Sequence, residues 1–404
     1  IKMNRRKFLQ QGGMLGTGMF MLNTVSANTV NWLLDRPIKI GMIGCGDRGK
    51  GVLSVIKSLP ELYEIRSFCD VLDFRLAETK KMLGEATSVK AFKQYHKMLE
   101  DKELDAVFIA VPLSEHFIIA KDAIESGKHV YVEKTMTFTI DEAQQLVALS
   151  DKHPKQTVQV GYQYRYSPLY FKVKEMIDSG YLGKVTQVDC RWDRNGTWRR
   201  VVPEPSLERQ INWRMYKEFS GGLAAELLSH QIDFINWAFD THPDEIVGVG
   251  GIDVYKDGRE TFDNIQVAFR YKKVGMIGNF GATCGNARDG YLFKIKGTRG
   301  TVSLLTNTGL YYPEKDAKEQ LQTVDGVSGA TKIAWNEDGG VPILNEPTKD
   351  GTWYALKDFY KAIQNNSLPT SNVRRGASAA VCVALANNAI YNNKIEYWKQ
   401  EYDF

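Results

Sequence analysis

A chain of 404 residues is too long for one ordinary domain and suits two. With 43% apolar and 25% charged residues it reads as a packed globular protein and excludes a disordered, collagen-like or repeat chain. The formal net charge of +4 is placed at one end: residues 1–27 hold Lys2, Arg5, Arg6 and Lys7 and no acid, and without them 48 basic face 48 acidic residues, which argues against nucleic acid as a partner.

The chain order begins with an address. Asn4-Arg5-Arg6-Lys7-Phe8-Leu9-Gln10 precedes a glycine-rich apolar run from Gly12 to Leu22, and Val25-Ser26-Ala27 offers small residues for cleavage. Paired arginines before Phe-Leu read as a twin-arginine export signal over 1–27, so the mature chain is expected in the periplasm. No other segment approaches the ~18 uninterrupted apolar residues of a membrane span, and no cysteine follows the apolar run to take a lipid anchor. Cys45, Cys69, Cys190, Cys284 and Cys382 lie far apart without a CxxC pair, so they read as core residues and no metal site is expected.

From Pro37 to Gly161 short apolar runs alternate with helical patterns. Strands are expected at 38–43, 63–69, 106–111, 129–132 and 157–160, separated by helices near 50–58, 73–83, 114–126 and 140–151. This alternation predicts a doubly wound parallel sheet with helices on both faces. Between 184 and 345 strand-like runs at 185–192, 245–254, 264–271, 273–282 and 292–296 follow one another, broken by a helix at about 221–239; that texture predicts an open, mostly antiparallel sheet. The tail from Trp353 to Tyr391 reads as helical. The fold class is α/β: a Rossmann domain over 37–161, an α/β substrate and oligomerisation domain over 162–370, and a C-terminal helix and tail over 371–404.

Gly44-Cys45-Gly46-Asp47-Arg48-Gly49 stands between the first strand and the first helix. Its glycines permit a tight turn, approach of backbone N–H groups to a pyrophosphate and close helix–strand packing, with the helix N-terminus facing the negative charge. Asp70 follows 21 residues after Gly49, at the end of the second strand, placed to accept hydrogen bonds from ribose hydroxyls. A 2′-phosphate would meet carboxylate repulsion there, so NAD is favoured over NADP, although Arg75 is near enough to weaken the preference.

Val111-Pro112-Leu113-Ser114-Glu115-His116 follows the third strand and Glu133-Lys134 the fourth, both loops opening at strand carboxyl ends, where ligands bind. Lys134 is expected over the nicotinamide end of the cofactor. In the helix read from Gly221 to Asp233, Glu226 and His230 are spaced i, i+4 and share a face. Two titratable groups opposite a lysine suit hydroxyl oxidation: one takes the alcohol proton while hydride leaves, and a cation steadies the alkoxide. His116 also fits a simple packing role.

The runs Ile40–Gly46, Asp105–Pro112 and Glu125–Lys134, with the Gly221-Gly222…Glu226…His230 segment, together resemble the glucose–fructose oxidoreductase/inositol dehydrogenase (Gfo/Idh/MocA) family over about residues 37–395. The resemblance implies NAD-dependent oxidoreduction of a pyranose or cyclitol, with Lys134 and His230 as catalytic lysine and histidine and Glu226 in place of the family's frequent Asp. It implies that Gln163, Arg165 and Tyr166 line the substrate cleft, joined by Trp213 and Arg214, and that the chain forms dimers or tetramers. Two further positions depart from the pattern. Thr135 replaces the proline of Glu-Lys-Pro, which is expected to loosen the loop, and Val111 replaces the threonine before Pro112.

The leading functional expectation is a sugar or glycoside oxidoreductase, acting at a hydroxyl such as C3, with NAD loaded before export and kept bound. The alternative is an NAD-dependent glycosidase that oxidises transiently, eliminates the aglycone and reduces again; a third class is a non-catalytic sensor. For Arg191–Arg200, rich in tryptophan and arginine, sugar stacking and packing on a neighbouring subunit remain equal readings.

Overall fold

In the computed structural model, residues 36–288, 290–314 and 339–404 are described, so the signal segment over 1–27 lies outside them. The first sheet is built from β1 (Ile38–Ile43), β2 (Tyr63–Cys69), β3 (Lys90–Phe92), β4 (Ala106–Ile109), β5 (His129–Val132) and β6 (Val158–Val160), all parallel in the order β3-β2-β1-β4-β5-β6. Strands buried on both faces are near-continuous apolar runs, and β4, Ala-Val-Phe-Ile, is buried at every position. The order reverses between β1 and β4, which opens a crevice at their carboxyl ends. β3 and the short helix Tyr95–Leu99 were not expected; at 3 and 5 residues they are too short to show a period.

The second sheet contains β7 (Val185–Trp192), β8 (Glu245–Gly251), β9 (Asn264–Tyr271), β10 (Met276–Thr283), β11 (Tyr291–Gly297), β12 (Gly300–Leu304), β13 (Gly309–Pro313), β14 (Val341–Pro342) and β15 (Glu396–Tyr397). Its order is β14-β13-β12-β11-β7-β10-β9-β8-β15, antiparallel except where β7 meets β10. β8 ends at Gly251, short of the expected Val254, because the buried Asp263 carboxylate accepts the backbone N–H groups of Asp253, Val254 and Tyr255. Residues 272–275 form a turn through Gly275 (φ 70°) and delay β10 to Met276.

The helical tail divides at Asn366, which is left-handed, into Gly351–Asn365 and Val373–Asn392. The first of these does not stay with the second domain. Its Phe359 packs edge-on against Phe108 (5.5 Å) and Tyr131 (5.8 Å) of the parallel sheet, and Tyr63 Oη donates to the Leu356 carbonyl (2.6 Å). Apolar periodicity marks the helix but not the face it covers. The chain thus crosses back and closes the first domain's core, and all five cysteines are buried and free.

Candidate active site

A cleft of about 810 Å³ runs from the β1–β4 crevice to the segment after β7. At its cofactor end Gly44 adopts φ 93°, and a Cβ there would lie 2.3 Å from the Ala110 carbonyl oxygen. At Gly49 a Cβ would lie 1.9 Å from the Gly44 carbonyl, so this glycine sets helix–turn packing. Gly46 caps helix Asp47–Lys57 with no side chain across its N–H groups. Asp70 is buried; its carboxylate accepts Cys45 N–H (2.8 Å) and Leu72 N–H (2.9 Å), with Arg75 at 3.8 Å. It therefore knits the two turns together and keeps further lone pairs for a ligand.

Asp47 stands in the first helical turn, and Arg200, from the segment after β7, reaches across to it at 2.7 Å. Arg48 donates to Glu133 (2.7 Å) and Thr352 (3.3 Å). Arg48 Nη2 and Gln163 Oε1 are buried without a protein partner, although both residues line the cleft. A glycine cradle, a helix N-terminus and two orphaned polar atoms fit a dinucleotide. Val111, Pro112 and His116 form the wall beside it. His116 is a brace between loops: Nδ1 lies 2.8 Å from the Thr135 carbonyl and Nε2 3.1 Å from that of Val111. Burial lowers its pKa, against the pull of those two carbonyls.

At the reacting end the expected α-helix is corrected. The helix runs over 222–238 as expected, but within it Ala224–Leu228 is a π turn, in which Ser229 N–H reaches the Ala224 carbonyl. Such widened turns concentrate at functional sites. Here the turn presents two carbonyls to side chains. Lys134 Nζ donates to those of Ala225 (3.3 Å) and Glu226 (2.8 Å), while Thr135 Oγ1 (3.2 Å) and Ser229 Oγ (2.7 Å) also reach Ala225. The loop expected to loosen without proline is therefore tied down by a threonine hydroxyl that proline lacks.

Glu226 and His230 do not form a pair. The Glu226 carboxylate accepts from Arg214 Nε (2.8 Å), whereas His230 turns into an aromatic wall of Tyr164 (4.5 Å), Trp192 (5.8 Å) and Tyr162 (5.9 Å). His230 Nδ1 is buried without a partner. Burial, with the charges of Lys134 and Arg48, drives the imidazole pKa well below the ordinary 6.5. Burial also pulls Lys134 below its ordinary value, opposed by Glu226 and Glu133. For Glu226 burial acts upward, but Arg214 and Lys134 outweigh it and hold the carboxyl below its usual range.

Arg165 and Tyr166 do not line the cleft, contrary to the resemblance. Arg165 is 1% exposed, forms a two-pronged ion pair with Asp233, and donates to the Thr370 carbonyl (3.1 Å). Tyr166 is buried and its hydroxyl accepts Ser371 N–H (2.9 Å). Tyr164, just before them, which the sequence did not single out, is the residue on His230; in a short 3-10 turn neighbours point to different sides. Trp213 and Arg214 do line the cleft, as do Trp192, Arg194, Trp198 and Arg200. The Arg191–Arg200 stretch thus faces the cleft through four of its residues, but stacking surface is scarce. Trp198 lies between Arg194 (4.7 Å) and Arg214 (5.6 Å), and Trp192 is covered by Tyr164 and Tyr291.

Fold and site define the class: a two-domain α/β protein with a parallel dinucleotide-binding domain and a sheet-backed second domain. Residues 38–162 match the oxidoreductase family with an NAD-binding Rossmann fold, and residues 170–303 match the GFO/IDH/MocA C-terminal domain. The chain belongs to this GFO/IDH/MocA oxidoreductase family. Among curated relatives, inositol 2-dehydrogenase of Salmonella typhimurium is 28% identical over 201 residues, 50% of this chain and 54% of the relative. Oxidoreductase P35 of Formosa agariphila is 30% identical over 205 residues, 50% of this chain and 60% of the relative. The chain thus spans little more than half of these relatives' length. Among solved structures, an oxidoreductase domain protein from Kribbella flavida superposes with TM-score 0.73 at 20% identity, covering 90% of this chain and 99% of that one. A levoglucosan dehydrogenase in complex with NADH and levoglucosan superposes with TM-score 0.71 at 18% identity, with coverages of 90% and 99%. These two likenesses establish the fold.

Proposed function

We propose that the protein oxidises a ring hydroxyl of a sugar or glycoside to a ketone, with C3 as the favoured position and NAD held between turnovers. The observation that carries this reading is that Lys134 and Glu226 line the dinucleotide cleft while His230, buried against the cleft residue Trp192 (5.8 Å), feels the Lys134 charge, which helps lower its pKa. NAD, when bound, supplies the hydride acceptor. His230 takes the hydroxyl proton; Nδ1 is buried without a partner, so the proton is taken at Nε2, with the ring's own proton assigned to Nδ1 as part of this reading. A depressed pKa keeps that nitrogen free of a proton across neutral pH. Lys134, with two N–H groups on the π-turn carbonyls, directs its remaining N–H to the alkoxide. Glu226, neutralised by Arg214, offsets the cost of burying the lysine charge. The Arg200–Asp47 bridge across the cofactor end is consistent with a nucleotide that leaves slowly.

The twin-arginine motif at residues 5 and 6 supports export of the folded, nucleotide-loaded chain, and fractionation of cells expressing the full chain or an Arg5→Lys/Arg6→Lys variant tests it: both proteins in the cytoplasm would refute export. Val247, Val249 and Ile277, exposed on one face of the second sheet, support assembly through that face, which the mass in solution checks. For the reaction, protein as isolated is incubated with a glycoside panel and no added NAD, and products are weighed by mass spectrometry. A product lighter by two hydrogens with its aglycone attached is expected. Free aglycone with unoxidised sugar would mean the redox-neutral glycosidase instead.

A further inference from the structure

The guanidinium groups lining the cleft differ in one respect. Arg48 meets Glu133 (2.7 Å), Arg75 meets Asp70 (3.8 Å), Arg200 meets Asp47 (2.7 Å), Arg209 meets Glu218 (2.9 Å) and Arg214 meets Glu226 (2.8 Å). Arg194, in the same cleft, has no carboxylate and no hydrogen-bond acceptor among the described residues. It is nevertheless held in place. Its backbone N–H donates to the Thr283 carbonyl (2.8 Å), the next two residues are stitched to Cys284 and Gly285, and its guanidinium lies on the Trp198 ring at 4.7 Å. A guanidinium held over an indole by cation–π attraction keeps its N–H groups free for a planar, two-oxygen acceptor.

The platform under it is itself forced. Trp198 has φ 67°, a conformation a bulky side chain rarely adopts. It is imposed by its flanks: Arg259 donates to the Thr197 carbonyl (2.8 Å) and Arg199 pairs with Asp257 (2.9 Å). The result is a ladder, Arg194–Trp198–Arg214–Trp213, within the cleft lining, whose Arg214 also holds the Glu226 carboxylate. Strain retained in a binding cleft points to recognition. With two guanidinium groups already over the Trp198 ring, recognition here runs through the guanidinium N–H groups rather than through sugar stacking.

We infer that Arg194 is the centre of an oxyanion subsite and that the substrate is an acidic sugar derivative, a uronic acid or a glycoside bearing a carboxylate. The inference rests on the proposed reading only in taking the ligand to be a carbohydrate. A two-oxygen carboxylate matches the free edge of the fork; a neutral hydroxymethyl group in its place leaves that edge without a counter-charge.

The test is binding to the nucleotide-loaded full chain, by calorimetry, of matched neutral and acidic pairs: methyl glucoside with methyl glucuronide, and the galacto pair. The expected result is at least one pair in which the acid binds roughly ten-fold or more tightly, with an advantage that shrinks as salt is raised. Arg194→Gln removes that preference with unchanged NADH affinity, and Arg194→Lys restores part of it, since an ammonium keeps the charge without the fork. Overturning results are a panel in which no acid outbinds its neutral partner, a preference that survives Arg194→Gln, or a loss of NADH affinity in that variant, which would assign the arginine to the cofactor. Product mass on the same samples separates the two ideas. Discrimination without oxidation would sink the oxidoreductase reading alone, and equal oxidation without discrimination would sink the subsite alone.

Discussion

Two buried titratable groups, Asp233 and His230, share the helix that follows the π turn, and they have opposite fates. Asp233 is bound by Arg165 through two hydrogen bonds, with Arg165 covered by the Trp237 ring at 5.0 Å and its remaining edge on the Thr370 carbonyl. Three residues earlier, His230 has a sealed nitrogen with no partner, and Lys134 rests on backbone carbonyls rather than on a carboxylate. Fully satisfied, the first pair can only hold elements together. The second group is left with capacity that a substrate can use. Buried charge marks chemistry only where its hydrogen bonding is incomplete.

That contrast breaks first at Lys134. Lys134→Met should lower kcat on the order of 10³-fold, with NADH binding and melting temperature close to wild type; a comparable loss of stability would place the lysine with the structural pair. Asp233→Asn should do the reverse. It leaves a buried guanidinium uncompensated, at a cost of about 3–5 kcal/mol, read as a lower denaturant midpoint, while the pH profile of the folded fraction stays unmoved. His230→Asn should reduce kcat/KM roughly 10²-fold and remove the acid limb of its pH profile. For the wild type the sign follows from burial: the His230 pKa is lowered, so the base stays unprotonated through pH 6.5 and activity falls only below it. The lowered Lys134 pKa likewise starts the alkaline limb below 10.5. An acid limb centred at or above 6.5 would show an exposed or carboxylate-paired imidazole. The smallest effect is expected from Thr135→Val, which removes one hydrogen bond to Ala225, worth about 1 kcal/mol, and should act on kcat more than on nucleotide affinity.

How much of this could be read in advance follows from what each feature depends on. The cofactor half is local: strand, glycine turn and helix are consecutive, and Asp70 lies at the end of the neighbouring strand, so Gly44–Gly49 and every strand of the first sheet but β3 were legible from apolar runs and spacing. Lys134 was legible for the same reason, since its position at a strand end fixes where it opens. The π turn was not, because one extra residue in a turn leaves the apolar pattern of Gly221–Asp233 helical while changing the partners of Glu226 and His230. Tyr164 and Arg165 are adjacent and equally polar at one end, and only burial tells the wall of the site from the structural pair. Arg200 and Asp47 meet across 153 positions of chain, a contact that no spacing rule anticipates.

The most direct test of the central claim, that the Lys134–His230 group drives hydride removal from a sugar hydroxyl, is a single-turnover measurement on nucleotide-loaded protein. A glycoside is mixed with wild type, Lys134→Met and Asp233→Asn, and the near-ultraviolet absorbance of reduced nicotinamide is followed. The account predicts a rise in wild type and in folded Asp233→Asn, and one slowed on the order of 10³-fold in Lys134→Met. A rise of equal rate in Lys134→Met would contradict it.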